Sequence, residues 1–152
     1  MLEILEGQTL EAEKLVSFRG CISQAELEEI GKDLEKTVNQ AGAKRVGNPI
    51  TATYGVDGNT MDIEILLPVD KKIDITNKYT YKEKIKIVNA VAAKYTGNPS
   101  GLQEACNELN KYIAEKKLMP VTVGYNVTKK IDPLNMEQSE MEVYVGISQN
   151  IL

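Results

Sequence analysis

The sequence predicts an α+β fold: tandem duplicated β-α-β-β modules forming a mainly antiparallel sheet with two helices and a central groove, related by a pseudo-two-fold axis. Three observations predict it. The stretch Asp62-Ile63-Glu64-Ile65-Leu66-Leu67-Pro68-Val69 returns class for class as Glu140-Met141-Glu142-Val143-Tyr144-Val145-Gly146-Ile147. The helical stripe Leu27, Ile30, Leu34, Val38 is repeated by Leu102, Ala105, Leu109, Ile113 at the same steps. In both copies the stripe is followed by two runs with strand character.

The elements follow in order. Glu13 to Phe18 reads as a first strand. Ser23-Gln24-Ala25-Glu26 then matches the S-x-x-E capping box, in which serine and glutamate each satisfy a backbone N–H at a helix start. Charged residues Glu28, Glu29, Lys32, Asp33 and Lys36 fill the faces that the apolar stripe leaves, and Gly42 is placed to end the helix in a left-handed cap. Ile50 to Gly55 and Met61 to Val69 are strands, with Asp57-Gly58 signalling a tight hairpin. The polar stretch from Asp70 to Thr80 is the seam.

The second copy opens with a long strand running from Lys84 to Tyr95. Asn98-Pro99-Ser100 carries cap-forming residues and a proline suited to a first helical turn. After the second helix come strands Val121 to Val127 and Glu140 to Ser148. Their connection, Thr128 to Gln138, is longer than the first hairpin, as loop tips allow. The expected organisation is one domain over residues 1–152, with module one at about 9–70, a linker at about 71–80 and module two at about 81–150.

Composition narrows the function. A chain of 152 residues buries enough surface to fold without disulfide or metal. With 18 basic against 22 acidic residues it lacks the electrostatic footprint of a nucleic-acid binder. Acids stand where a signal peptide has its basic region, and no apolar run approaches spanning length, so a cytoplasmic protein with no membrane partner is expected. Cys21 and Cys106 fall in no CxxC and are expected to be buried small apolar residues. Histidine is absent, which excludes Ser-His-Asp and Cys-His catalysis and every His-containing zinc site. Neither a metal nor a cofactor is expected.

Alternation along the last strand of each copy puts Ile63, Ile65 and Leu67, and likewise Met141, Val143 and Val145, on the helix side. Asp62, Glu64 and Leu66, with Glu140, Glu142 and Tyr144, face away. An apolar Leu66 and an aromatic Tyr144 beside acids suit a partly dry groove better than an open surface. The same acids also fit the solvent face of amphipathic strands, and each tyrosine fits ordinary packing with a bonded hydroxyl.

The repeated strand-helix-hairpin order, the segment Lys94-Tyr95-Thr96-Gly97, the helix ending Tyr112-Ile113-Ala114-Glu115-Lys116-Lys117-Leu118-Met119-Pro120 and the terminal Glu140-Met141-Glu142-Val143-Tyr144-Val145 together resemble GyrI-like small-molecule-binding domains. Those domains also serve as effector-binding modules of AraC-type and MerR-type regulators. The resemblance implies two halves enclosing a groove lined by aromatics, with a glutamate of the last strand binding lipophilic cations. By motif position that residue is Glu142, with Tyr144 on the same face and Glu64 as its counterpart. Tyr54, Tyr95, Tyr125 and Tyr144 are the candidate walls. The chain departs from the pattern in having no Trp and in carrying Gly146 where the family usually has proline, which is expected to loosen the strand end.

A carboxylate partly withdrawn from water should have a raised pKa until a cation pairs with it. Tyrosine rings would hold the apolar body and offer cation–π contact. With no DNA-binding segment expected beside the module, the leading expectation is a stand-alone, non-enzymatic binder of a cationic or amphipathic small molecule. The alternatives are a hydrolase of a reactive small electrophile using Glu142 as general base, and an interaction module with a protein partner. A repeat within one chain can complete a groove without a second copy, which favours monomer over dimer.

Overall fold

Local chemistry sets the helix ends. In the computed structural model, which describes residues 2–74 and 79–148, Ser23 Oγ accepts from the Glu26 N–H at 3.2 Å and the Glu26 carboxylate accepts from the Ser23 N–H at 3.1 Å. This is the expected capping box, and it ends β1 (Leu2–Ser23) and starts α1 (Gln24–Gln40). Gly42, at φ +85°, closes α1 in a Schellman motif: its own N–H reaches Asn39 O and that of Ala43 reaches Val38 O, each at 3.1 Å. The strand β1 extends well beyond the six residues expected for it. Its first half is rich in Glu, which strands disfavour, so propensity alone concealed it.

The hairpin joins β2 (Ile50–Asp57) to β3 (Thr60–Pro68), with Asp57 paired to Thr60. Gly58 and Asn59 are therefore the two loop residues. Gly58, at φ +59°, takes the first central position, where a type II′ turn favours glycine. Next come β4 (Tyr79–Thr96), a 3₁₀ turn over Pro99–Gly101 and α2 (Leu102–Glu115). The Asn98 side chain caps the 3₁₀ turn by accepting from the Ser100 N–H at 3.0 Å. Two further strands follow, β5 (Pro120–Lys130) and β6 (Glu140–Ile147), and the described residues make an α+β fold of six strands and two α-helices. The described registers pair their strands antiparallel.

The chain forms two compact units, one of residues 11–85 and one of residues 1–10 with 86–152. Residues 75–78 of the expected linker, and 149–150 at the expected end of module two, lie outside the described residues. In the first unit the strand order is β1-β3-β2. Val16 and Phe18 of β1 and Ile63, Ile65 and Leu67 of β3 pack with Leu34 and Val38 of α1. Phe18 also meets Tyr79 edge-on at 6.2 Å, and the Tyr79 hydroxyl donates to Asp33.

In the second unit the order is β5-β6-β4. Val91 and Ala93, with Val143 and Val145, pack on Leu109 and Ile113 of α2, and Leu2 and Ile4 of β1 join that core. Both helical stripes thus face sheet as their spacing predicts. Gly146 is held rather than loosened. Its N–H donates to Thr122 Oγ1 at 2.8 Å, and an added Cβ would lie 2.9 Å from Thr122 Cγ2 and 3.1 Å from Ile87 Cγ2. Among the described residues no helix is long and apolar enough to cross a membrane.

Candidate functional site

Strand alternation leaves a second face in each unit, turned away from its helix, and part of that face is also buried. In the unit of residues 11–85, Leu15, Ser17, Ile50, Ala52 and Leu66 are buried on it. In the other unit Ala90, Ala92 and Tyr144 are buried in the same sense. Each acid of interest sits on such a face, where the cost of charge must be met by partners.

The two acids are met differently. Glu64, only 6% exposed, accepts from Lys82 Nζ at 2.6 Å, from Ser17 Oγ at 2.9 Å and from the Tyr54 hydroxyl at 3.3 Å. Here the chain supplies the pairing cation itself, so the rise expected of an unpaired carboxylate is absent. Burial pushes the Glu64 carboxyl up, but the bonds from Lys82 and Ser17, the Lys82 charge and the Tyr54 hydroxyl outweigh it and hold it below the ordinary carboxylate range.

Glu142, whose side chain is 14% exposed, has its cations further off. Lys129 Nζ is 3.7 Å away and Lys94 Nζ is 4.0 Å away. These exceed the 2.7–2.9 Å of a charge-assisted N–H···O bond. Its close partner is the Tyr144 hydroxyl, which donates at 2.7 Å. Burial, that hydrogen bond and the Glu142 charge all push the Tyr144 phenol well above its ordinary value. Lys94 lies directly across from Glu142 in the β4–β6 register, while Lys129 falls at the irregularity between Thr128 and Lys130 of β5.

The structure therefore brings Glu142, Tyr144 and Tyr125 together, Tyr125 standing opposite Tyr144 on β5. Tyr95 lines, with Lys94, Lys129, Glu140 and Glu142, a cavity of about 300 Å³. The Tyr95 hydroxyl donates to Asn98 O at 2.7 Å, so it is committed to the turn before α2 and only its ring remains as wall. Glu64 and Tyr54 form a separate pair in the unit of residues 11–85.

Sequence reasoning missed Lys82, Lys94, Lys129, Ser17 and Arg19. The signal for Lys94 was its place opposite Glu142, which needs the register to read. Cys21, expected to be buried, is exposed, because its face of β1 there carries Asp62 opposite it. Cys106 is half-buried, and burial pushes its thiol up.

No family model matches this sequence, and no curated protein does. Solved structures do match in fold. The C-terminal domain of EcmrR superposes with a TM-score of 0.75 at 12% identity, over 99% of this chain and 98% of that one. EcmrR in a DNA complex gives 0.77 at 14% identity, covering 98% of this chain but 58% of that one, so this chain spans little more than half of that longer protein. SAV2435 bound to tetraphenylphosphonium gives 0.54 at 12% identity, over 98% and 94%. A hydrolase from Listeria innocua gives 0.57 at 11% identity, over 97% and 91%. The chain thus has the fold of the EcmrR C-terminal domain and of SAV2435, in keeping with the GyrI-like resemblance of its sequence.

Proposed function

We propose that this chain is a small-molecule-binding domain whose ligand is a lipophilic or amphipathic cation, held at Glu142 in the cavity that Tyr95 lines, with Tyr144 and Tyr125 beside it. The observation that carries the reading is the contrast between the two acids. A cation entering at Glu64 must displace an ammonium at 2.6 Å, whereas at Glu142 it competes with ammoniums at 3.7 and 4.0 Å. Coulomb attraction falls with distance and rises as water is excluded, so the withdrawn, loosely compensated carboxylate is the better receptor. Tyrosine faces add cation–π attraction for a charge spread over an apolar body. The SAV2435 complex with tetraphenylphosphonium supports this class of ligand.

Thermal unfolding against a panel of lipophilic cations tests it. A ligand at about a hundred times its Kd adds about 2.7 kcal/mol, or roughly 5–10 °C in Tm for a chain of this size. Glu142→Gln should remove most of that shift and Glu64→Gln should leave it. An unmoved Tm across the panel, or a full shift in Glu142→Gln, would overturn the assignment. Retention of a polypeptide from lysate with no response to cations would favour a protein partner instead.

A further inference from the structure

In the unit of residues 11–85 the chain supplies its own cation to an aromatic and carboxylate site. The Arg19 guanidinium lies over the Tyr54 ring, with Cζ 3.6 Å from the centroid. Its Nε and Nη2 donate to the two oxygens of Asp62 at 2.8 and 3.0 Å. Tyr54 is fixed beneath it in part by the bond from its hydroxyl to Glu64. The irregularity between Thr53 and Gly55 of β2 is where Tyr54 leaves the regular pairing.

Each part has a separate role. An aromatic face attracts a delocalised planar cation, and a carboxylate in the plane of the cation accepts two parallel N–H bonds, which an ammonium cannot supply. Arg19 sits across from Glu64 in the strand register, yet its fork turns to the diagonal Asp62. Glu64 already has Lys82 at 2.6 Å, so Asp62 is the carboxylate left to be read. The arrangement therefore holds one planar monocation. We propose that Tyr54 and Asp62 form a binding site for a guanidinium or amidinium group, of which Arg19 is the resident occupant. In the natural chain this site is shut. The inference goes beyond the reading for Glu142 and does not depend on it.

The test is chemical replacement of the missing side chain. Arg19→Ala is titrated calorimetrically with ethylguanidinium, and with ethylammonium at equal ionic strength. Arg19→Ala should bind ethylguanidinium roughly tenfold more tightly than the natural chain does, and more tightly than it binds ethylammonium. Adding Tyr54→Leu should weaken ethylguanidinium binding, and adding Asp62→Asn should abolish its preference over ethylammonium. Arg19→Lys, which keeps the stem and charge but not the fork, should also gain affinity over the natural chain, and it serves if Arg19→Ala fails to fold. Equal binding of the two cations, or undiminished ethylguanidinium binding after Tyr54→Leu, would overturn the proposal.

Discussion

Lys82→Met isolates what a buried carboxylate requires. Removing one partner of a fully buried ion pair costs about 3–5 kcal/mol, because the other charge is left without compensation. Here Lys82 is 40% exposed, so water already screens part of its charge. Ser17 and Tyr54 would continue to donate to Glu64. The expected loss at pH 7 is therefore about 1–3 kcal/mol, a Tm drop of several degrees.

The pH dependence is the sharper test. In the natural chain the Glu64 carboxyl lies below its unfolded value of 4.5, so its contribution is present above that pH and fades as pH falls through the folded value. In Lys82→Met the strongest donor is gone and burial is opposed less, so the carboxyl moves upward. The variant then regains ground in acid, where the buried group is neutral. Urea unfolding followed by far-ultraviolet circular dichroism at pH 7 and near pH 4 measures both. The stability difference should shrink at the lower pH, and Glu64→Gln in the same background should recover part of the loss at pH 7. A difference identical at both pH values would refute the account of Glu64.

Three further outcomes are expected. Lys117, at φ +57°, closes α2 in the position that favours glycine, with its N–H to Ala114 O and that of Leu118 to Ile113 O. Lys117→Gly should stabilise by about 1 kcal/mol in the same denaturation assay. Gly146→Pro removes the donor to Thr122 and places atoms where Thr122 and Ile87 already stand, so a loss of about 2–4 kcal/mol is expected in urea unfolding. The Tyr144 phenol is raised from 10.0, so its stabilising share is complete below pH 10 and is lost as pH climbs through the folded value. In a spectrophotometric titration, Tyr144→Phe should delete a late-ionising tyrosine.

Much of the fold was legible because its signals are local. Ser23 and Glu26, Gly42, and the two apolar stripes each act within a few residues, where spacing alone decides geometry. Of the candidate site, Glu64, Glu142 and Tyr144 were legible as residues turned away from the helices, because alternation alone places them there. Its counter-ions were not. Lys82 reaches Glu64 from 18 residues away and Lys94 meets Glu142 across 48, through registers that no periodicity reveals. The first half of β1 was hidden for a related reason. Its charged residues argue against a strand until its apolar positions, Leu2 and Ile4, find the α2 core from the far end of the sequence.

That last arrangement constrains the order of folding. Residues 11–85 are continuous in sequence, so that unit can condense as soon as it has been synthesised. The other unit contains the first ten residues and everything after Ile85. Thr9 bonds the Val88 carbonyl across 79 positions and Tyr112 bonds Glu6 across 106. Such closures cost entropy before any contact rewards them, and they slow folding. Residues 1–10 must therefore wait for those after Ile85, and Glu142, Tyr144 and Tyr125 belong to the unit that closes later than its neighbour.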